Sequence, residues 1–145
     1  MKLIKVIVLT LLIFMGCTGC DLFLDQEYTC DIDKIESVQI IRLGEYNQEE
    51  LEFEYTVLCD ILDWRPFVER LLDMECRVNW GEPNGLYGDD IVIRIAFQDG
   101  YVDYISDDAQ WIERDDITNG GYFWFDREAF KALIEEYLEN QMLVA

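Results

Sequence analysis

The sequence predicts an α+β domain: a mainly antiparallel sheet of about five to seven strands with two helices packed on one face. Three observations predict it. Stretches such as Leu51 to Cys59 and Asp90 to Phe97 alternate residue types with the period of two that a pleated strand imposes. Two other stretches, around Phe67 and around Leu133, repeat apolar residues at helical spacing. The strand-like stretches are mostly joined by short turn signals, in the order β-β-α-β-β-β-β-β-α, which suits antiparallel pairing. An alternating βαβ series is missing from this order, so a doubly wound nucleotide-binding fold is disfavoured.

Ile35 to Leu43 is rich in β-branched residues and reads as the first strand. Gly44-Glu45-Tyr46-Asn47-Gln48 connects it to Leu51–Cys59, a hairpin partner. That second strand puts Leu51, Phe53, Tyr55, Val57 and Cys59 on one face and Glu52, Glu54, Thr56 and Leu58 on the other. Asp63 then caps a helix with Pro66 in its first turn, where a missing N–H is tolerated. Its apolar stripe is Trp64, Phe67, Val68, Leu71 and Leu72, a core-facing pattern.

Cys76 to Trp80 is a short strand, and the segment from Gly81 to Gly88, with Pro83 and Asn84-Gly85, is the longest loop. In Asp90 to Phe97, Ile91, Ile93, Ile95 and Phe97 alternate with Val92, Arg94 and Ala96. Asp99-Gly100 is the strongest hairpin signal, returning the chain as Tyr101 to Ile105. Trp111-Ile112 begins another short strand, and Asn119-Gly120-Gly121 turns into Tyr122-Phe123-Trp124-Phe125. Asp126 caps the last helix, whose stripe is Phe130, Leu133, Ile134, Tyr137 and Leu138, with Glu128, Glu135, Glu136 and Glu139 towards water. Residues 34–140 are expected to form the single domain, with a fraying tail over 141–145.

Composition narrows the partners. A hydrophobic content of 51% and an aromatic content of 14% belong to a folded domain rather than a disordered chain. The chain carries 31 acidic against 11 basic residues, a formal net charge of −20. Such a surface repels phosphates and anionic headgroups, so nucleic acid is not an expected partner. A basic protein or peptide, or a divalent cation, is electrostatically admissible, and acidity also serves plain solubility.

The first twenty residues have a different character. Lys2 and Lys5 precede an apolar run from Val6 to Met15, interrupted only by Thr10, and no acidic residue appears before Asp21. This is the charge and hydropathy order of a secretory signal, and the run is too short for a membrane span of about 20 residues. Its end, Phe14-Met15-Gly16-Cys17-Thr18-Gly19-Cys20, resembles a lipobox, the processing motif of bacterial lipoproteins. The resemblance implies that a cysteine thiol receives diacylglycerol and becomes the mature N-terminus. Phe14 favours Cys17 as that residue, while Thr18 favours Cys20, which stays the alternative. A signal over 1–16, or to 19, and a tether over 17–33 are expected. Two or three acyl chains on one cysteine give stable anchoring to the membrane. The later pattern, from the strand pair Ile35 to Cys59 through the Asp99-Gly100 hairpin to the Tyr122–Asp126 entry of a helix with Phe130, also resembles small surface lipoproteins of Gram-positive bacteria. That likeness brings no activity with it.

Chemistry is sparse. The chain has no His, which removes the usual general base and the hydrolase triads. Gly81, Gly85 and Gly88 fit neither phosphate-loop pattern, and no cofactor is expected. Cys30, Cys59 and Cys76 lack zinc-ligand spacing; Cys59 reads as a buried free thiol. Asp89-Asp90, Asp107-Asp108 and Asp115-Asp116 do not form a calcium loop and read as turn residues. No metal site is expected, and no catalytic residue is assigned.

The densest constellation is aromatic: Trp80, Tyr87, Tyr101, Tyr104, Trp111, Tyr122 and Trp124. Either these pack beneath the helices, or those on the opposite sheet face form a binding surface within an acidic surround. Trp80, Tyr87, Tyr101, Tyr104, Trp111 and Trp124 are the candidate surface. The leading expectation is a non-enzymatic lipoprotein that binds a protein or peptide. An immunity- or inhibitor-type protein against a basic partner and a small carboxylate-dependent hydrolase are the alternatives.

Overall fold

β1 (Ile35–Asn47) is the spine of the computed structural model, which describes residues 28–49, 52–79, 85–112 and 122–144. The signal and lipobox, the 81–84 part of the long loop and the Asn119-Gly120-Gly121 turn lie outside the described residues. The strands that follow are β2 (Glu52–Asp60), β3 (Cys76–Asn79), β4 (Ile91–Phe97), β5 (Val102–Ile105), β6 (Gln110–Ile112) and β7 (Tyr122–Phe125). The α-helices among the described residues are α1 (Trp64–Leu72) and α2 (Arg127–Val144). A five-stranded antiparallel sheet has the order β2-β1-β4-β5-β6, and β3 pairs with β7 in a separate two-stranded antiparallel sheet. The domain is thus α+β.

The main core lies between the sheet and the two helices. Val38, Ile40, Ile93, Ile95, Phe97 and Ile105 supply the sheet side. Phe67, Val68 and Leu71 of α1 and Phe130, Leu133 and Ile134 of α2 pack within the same cluster. These are the stripes the helical spacing picks out, and burying each large side chain contributes about 1.5–3 kcal/mol. Across the helix pair, Arg70 holds Glu136 through two 2.9 Å hydrogen bonds.

The caps differ. The Asp126 carboxylate accepts from the Ala129 amide at 2.8 Å, as expected of a cap. Asp63 stands at the N-cap of α1, yet its side chain makes no capping bond. One of the two amides a cap reaches belongs to the third helical residue, which here is Pro66 and has no N–H.

The β4–β5 turn follows from Gly100, which has φ +92. The Gly100 amide donates to the Phe97 carbonyl at 2.9 Å, and the Phe97 amide donates to the Tyr101 carbonyl at 3.0 Å. This is a three-residue loop closed by a left-handed glycine.

The domain reaches further towards both ends than residues 34–140. Tyr28 is buried, stands edge-on to Phe123 and Phe125, and donates a 2.7 Å hydrogen bond from its hydroxyl to Asp103. Asp31 starts a short 3-10 turn (Ile32–Lys34), and Cys30 and Ile32 pack against the core. Residues 28–33, assigned to a tether by their lack of period, therefore belong to the domain. At the other end α2 continues through 141–144, the stretch read as a tail.

Buried Gln110 ties the small sheet to the large one. Its side-chain oxygen accepts from the Phe123 amide at 2.6 Å, and its Nε2 donates to the Phe123 carbonyl and, at 3.3 Å, to the Ser106 carbonyl. One side chain thus replaces a strand partner for β7.

Candidate binding face

The sheet face turned away from the helices is built by two irregularities in the β1–β2 hairpin. Leu43 pairs with Tyr55 and Tyr46 with Phe53, so Gly44 and Glu45 stand opposite Glu54 alone. This is a bulge, and it sharpens the local twist. A Cβ at Gly44 would lie 3.2 Å from the Glu54 carbonyl oxygen, which explains the glycine. In the other direction Ile41 pairs with Val57 and Ile40 with Cys59, leaving Leu58 as an extra residue. Phe53, Tyr55 and Val57 keep the shared face that their alternation predicts, but Cys59 passes to the helix side.

Beyond Gly44 the hairpin folds over the sheet. The Tyr46 ring lies 5.0 Å from Phe53 and 5.9 Å from Trp111, and Phe53 stands edge-on to Trp111 at 5.9 Å. Trp111 is on β6, three strands from β1, or roughly 14 Å across a flat sheet. The contact therefore requires the arm to curl across the face. Beneath it a second core forms from Ile41, Leu43 and Val92, with Phe53, Leu86 and Tyr104 packed against it.

The segment 85–90 fastens the base of the arm. The Leu43 amide donates to the Asp90 carbonyl at 2.9 Å, and the Asp89 amide donates to the Leu43 carbonyl at 2.8 Å. The Asp90 carboxylate accepts from the Tyr87 amide at 2.7 Å. Asp89 has φ 75, a left-handed conformation that Asp tolerates better than most residues.

Next to the arm the face stays open. Tyr55 is 43% exposed and Val57 40%, while Tyr46 and Trp111 are exposed at the rim of their cluster. The Arg94 guanidinium lies 5.3 Å above the Tyr55 ring, and its Nη1 donates to Gln39 at 3.3 Å. Gln39 in turn donates to Asp60 at 2.7 Å. Arg94 Nε is buried and has no hydrogen-bond partner among the described residues. Arg65, Arg70 and Arg127 each hold a carboxylate: Asp33, Glu136 and Asp107. The hydrogen bond to the carboxylate is the first cause that raises each of their pKa values. Arg94 has no carboxylate at ion-pair distance among the described residues and uses the ring and the amide instead.

The predicted aromatics separate into groups. Tyr104 and Trp111 sit opposite one another on this face, and Tyr104 is also opposite Arg94. Tyr87 and Tyr101 are exposed, one in the 85–90 segment and one beside the Gly100 turn. Trp124 is exposed on the small sheet, where it lines a pocket of about 220 Å³ with Glu75, Phe125 and Asp126. Trp80 lies outside the described residues, as does the side chain of Tyr122. Sequence reasoning missed Tyr46, Phe53, Tyr55 and Arg94 as members of the face. The available signal was Gly44 at the end of an otherwise β-branched run, a common mark of a bulge.

The remaining sequence candidates are accounted for locally. Asp107 and Asp108 both contact Arg127, and Asp115 and Asp116 lie outside the described residues, as do Cys17 and Cys20. The Cys59 thiol is buried, and burial followed by the charge of Asp60 pushes its pKa up. Among the described residues no helix is long and apolar enough to cross a membrane. Comparison of the chain with protein-family models, with curated proteins and with solved structures finds no match.

Proposed function

We propose that this protein is an extracytoplasmic lipoprotein, anchored through Cys17 or alternatively Cys20, whose acidic domain binds a basic protein or peptide. The observation that carries the binding reading is the exposed aromatic strip of Tyr46, Tyr55 and Trp111, with Val57, on the face the helices do not use. Exposed Tyr and Trp beside polar groups are what protein-binding surfaces collect. The net charge of −20 selects a partner of the opposite sign and speeds its approach. The lipobox-like segment supports the anchor.

Two experiments test the proposal. Metabolic labelling with an alkyne fatty acid in a bacterial host should mark the protein, and Cys17→Ser should abolish the label if Cys17 is the acylated residue. Persistence of the label in Cys17→Ser and its loss in Cys20→Ser would move the site to the alternative. For binding, a photo-crosslinking amino acid at position 55 of the membrane-anchored protein should capture a basic polypeptide, and the same group at exposed position 139 on α2 should not.

A further inference from the structure

Of the two edges of the large sheet, β2 is the longer, with nine residues against three in β6. From Tyr55 to Val57 its pairing with β1 is unbroken, with the extra residue Leu58 on one side and the bulge of β1 opposite Glu54 on the other; β2 itself carries no extra residue from Phe53 to Val57. Glu54, Tyr55, Thr56 and Val57 are all exposed, so neither face of this part of the strand is covered. Outside the β1 ladder, no backbone hydrogen bond among the described residues engages Phe53 to Val57. The segment contains no Pro and no Lys, two residues that usually blunt an edge. About 17 Å of strand edge is thus presented with its outward amides and carbonyls unused.

We propose that this edge takes an extended, basic segment of the partner polypeptide as a sixth strand of the sheet. The inference rests on the reading of the domain as a binder of basic polypeptides and supplies its mode. Backbone pairing gives affinity to an added strand, and alternate side chains give selectivity. Tyr55 and Val57 on one face favour apolar residues at alternate positions of the guest, while Glu54 on the other face favours Lys or Arg between them. The occupant is not a second copy of this chain. Two edges meeting would bring Glu54 towards its own equivalent and join two molecules of net charge −20.

The test uses the full-length protein and a capped peptide of alternating Lys and Val, about eight residues long. A second peptide of the same sequence, N-methylated at every residue, keeps charge and apolar content but cannot pair as a strand. Amide hydrogen exchange is followed from Phe53 to Val57. The unmodified peptide is expected to slow alternate amides there by about tenfold or more. The methylated peptide is expected to leave them unchanged, and Glu54→Lys to weaken binding about tenfold. If both peptides perturb Tyr55 and Trp111 without protecting these amides, the guest lies on the face and strand addition is overturned, while the binding function stands. If neither peptide binds, strand addition is overturned and the basic-partner reading falls with it. Protection that grows with protein concentration and needs no peptide would assign the edge to a second copy and likewise overturn the proposal.

Discussion

The ring of Tyr46, near the tip of the first hairpin, lies 5.9 Å from the indole of Trp111 on the opposite edge of the sheet. Two residues from β1 and β6 meet only because the hairpin bends at Gly44 and closes over Ile41, Leu43 and Val92. The contact decides which part of the outer face becomes a second core and which part stays open. Trp111→Ala removes the anchor of the arm. Its expected effect is a loss of about 1–3 kcal/mol, less than for a fully buried Trp because Trp111 is partly exposed. Denaturant unfolding measures the loss, and hydrogen exchange should show the arm opening before the α1–α2 core.

Gly44 should be the least replaceable described glycine outside the β4–β5 turn. Gly44→Ala brings a methyl group to 3.2 Å from the Glu54 carbonyl oxygen and Cβ. Crowding of this kind costs about 1–3 kcal/mol. Gly85→Ala serves as the comparison, since its added Cβ meets only the Tyr87 ring at 3.6 Å and should be close to neutral. Thermal unfolding of the two variants, side by side, should separate them clearly.

Gln110 offers a test of how the small sheet is held. Gln110→Leu keeps the size of the side chain but leaves the amide and carbonyl of Phe123 without their partner. Stranding two buried backbone groups should destabilise the domain by about 2–5 kcal/mol. The affected part should be β7, reported by faster exchange of the Phe123 and Phe125 amides.

Tyr28→Phe tests where the domain begins. The substitution retains the edge-on contacts with Phe123 and Phe125 and removes the hydroxyl bond to buried Asp103. A loss of about 1–2 kcal/mol is expected in urea unfolding. Tyr28→Ala should cost more, because the ring contacts go as well. A domain that truly began at Lys34 would show no change in either variant.

The Arg70–Glu136 pair predicts a pH dependence of definite sign. The hydrogen bond from Arg70, ahead of the charge attraction, lowers the Glu136 pKa below the ordinary carboxylate range. A carboxylate whose folded pKa is depressed stabilises the fold above its unfolded pKa, about 4.3, and loses that contribution as the pH falls through the folded value. Both side chains are about half exposed, so the effect is small. Wild type should therefore melt slightly above Arg70→Met at neutral pH, and the difference should shrink as the pH falls below the ordinary carboxylate range. Melting curves collected across that range measure it.

The order of the elements was legible because each is a local pattern. Period-two runs mark β2 and β4, the β-branched run from Ile35 marks β1, Asp99-Gly100 marks the turn into β5, and the stripes around Phe67 and Leu133 mark α1 and α2. The limits of the domain were not legible. Tyr28 sits in a stretch without period, and its burial depends on Phe123, Phe125 and Asp103, which are distant in sequence. The outer face of the sheet was half legible. Tyr104 and Trp111 stood out as aromatics in strands, whereas Tyr46 and Phe53 join them only through a bend whose single trace is Gly44. The alternation that grouped Cys59 with Val57 broke at Leu58, because a bulge inserts one residue and exchanges the faces beyond it. Arg94 looked like an ordinary polar member of a strand, and only the structure sets it over Tyr55.

The aromatic face of this acidic domain is proposed to bind basic polypeptides. Calorimetric titration of the Lys-Val peptide into full-length wild type and into a Tyr55→Ala, Val57→Ser variant tests it most directly. Tyr55 and Val57 are exposed, so the variant should fold as the wild type does. Saturable binding to the wild type is expected, weakened by raising salt from about 0.05 to about 0.5 M. Affinity should fall about tenfold or more in the variant. Equal affinity in the two proteins, or no binding to the wild type at low salt, would contradict it.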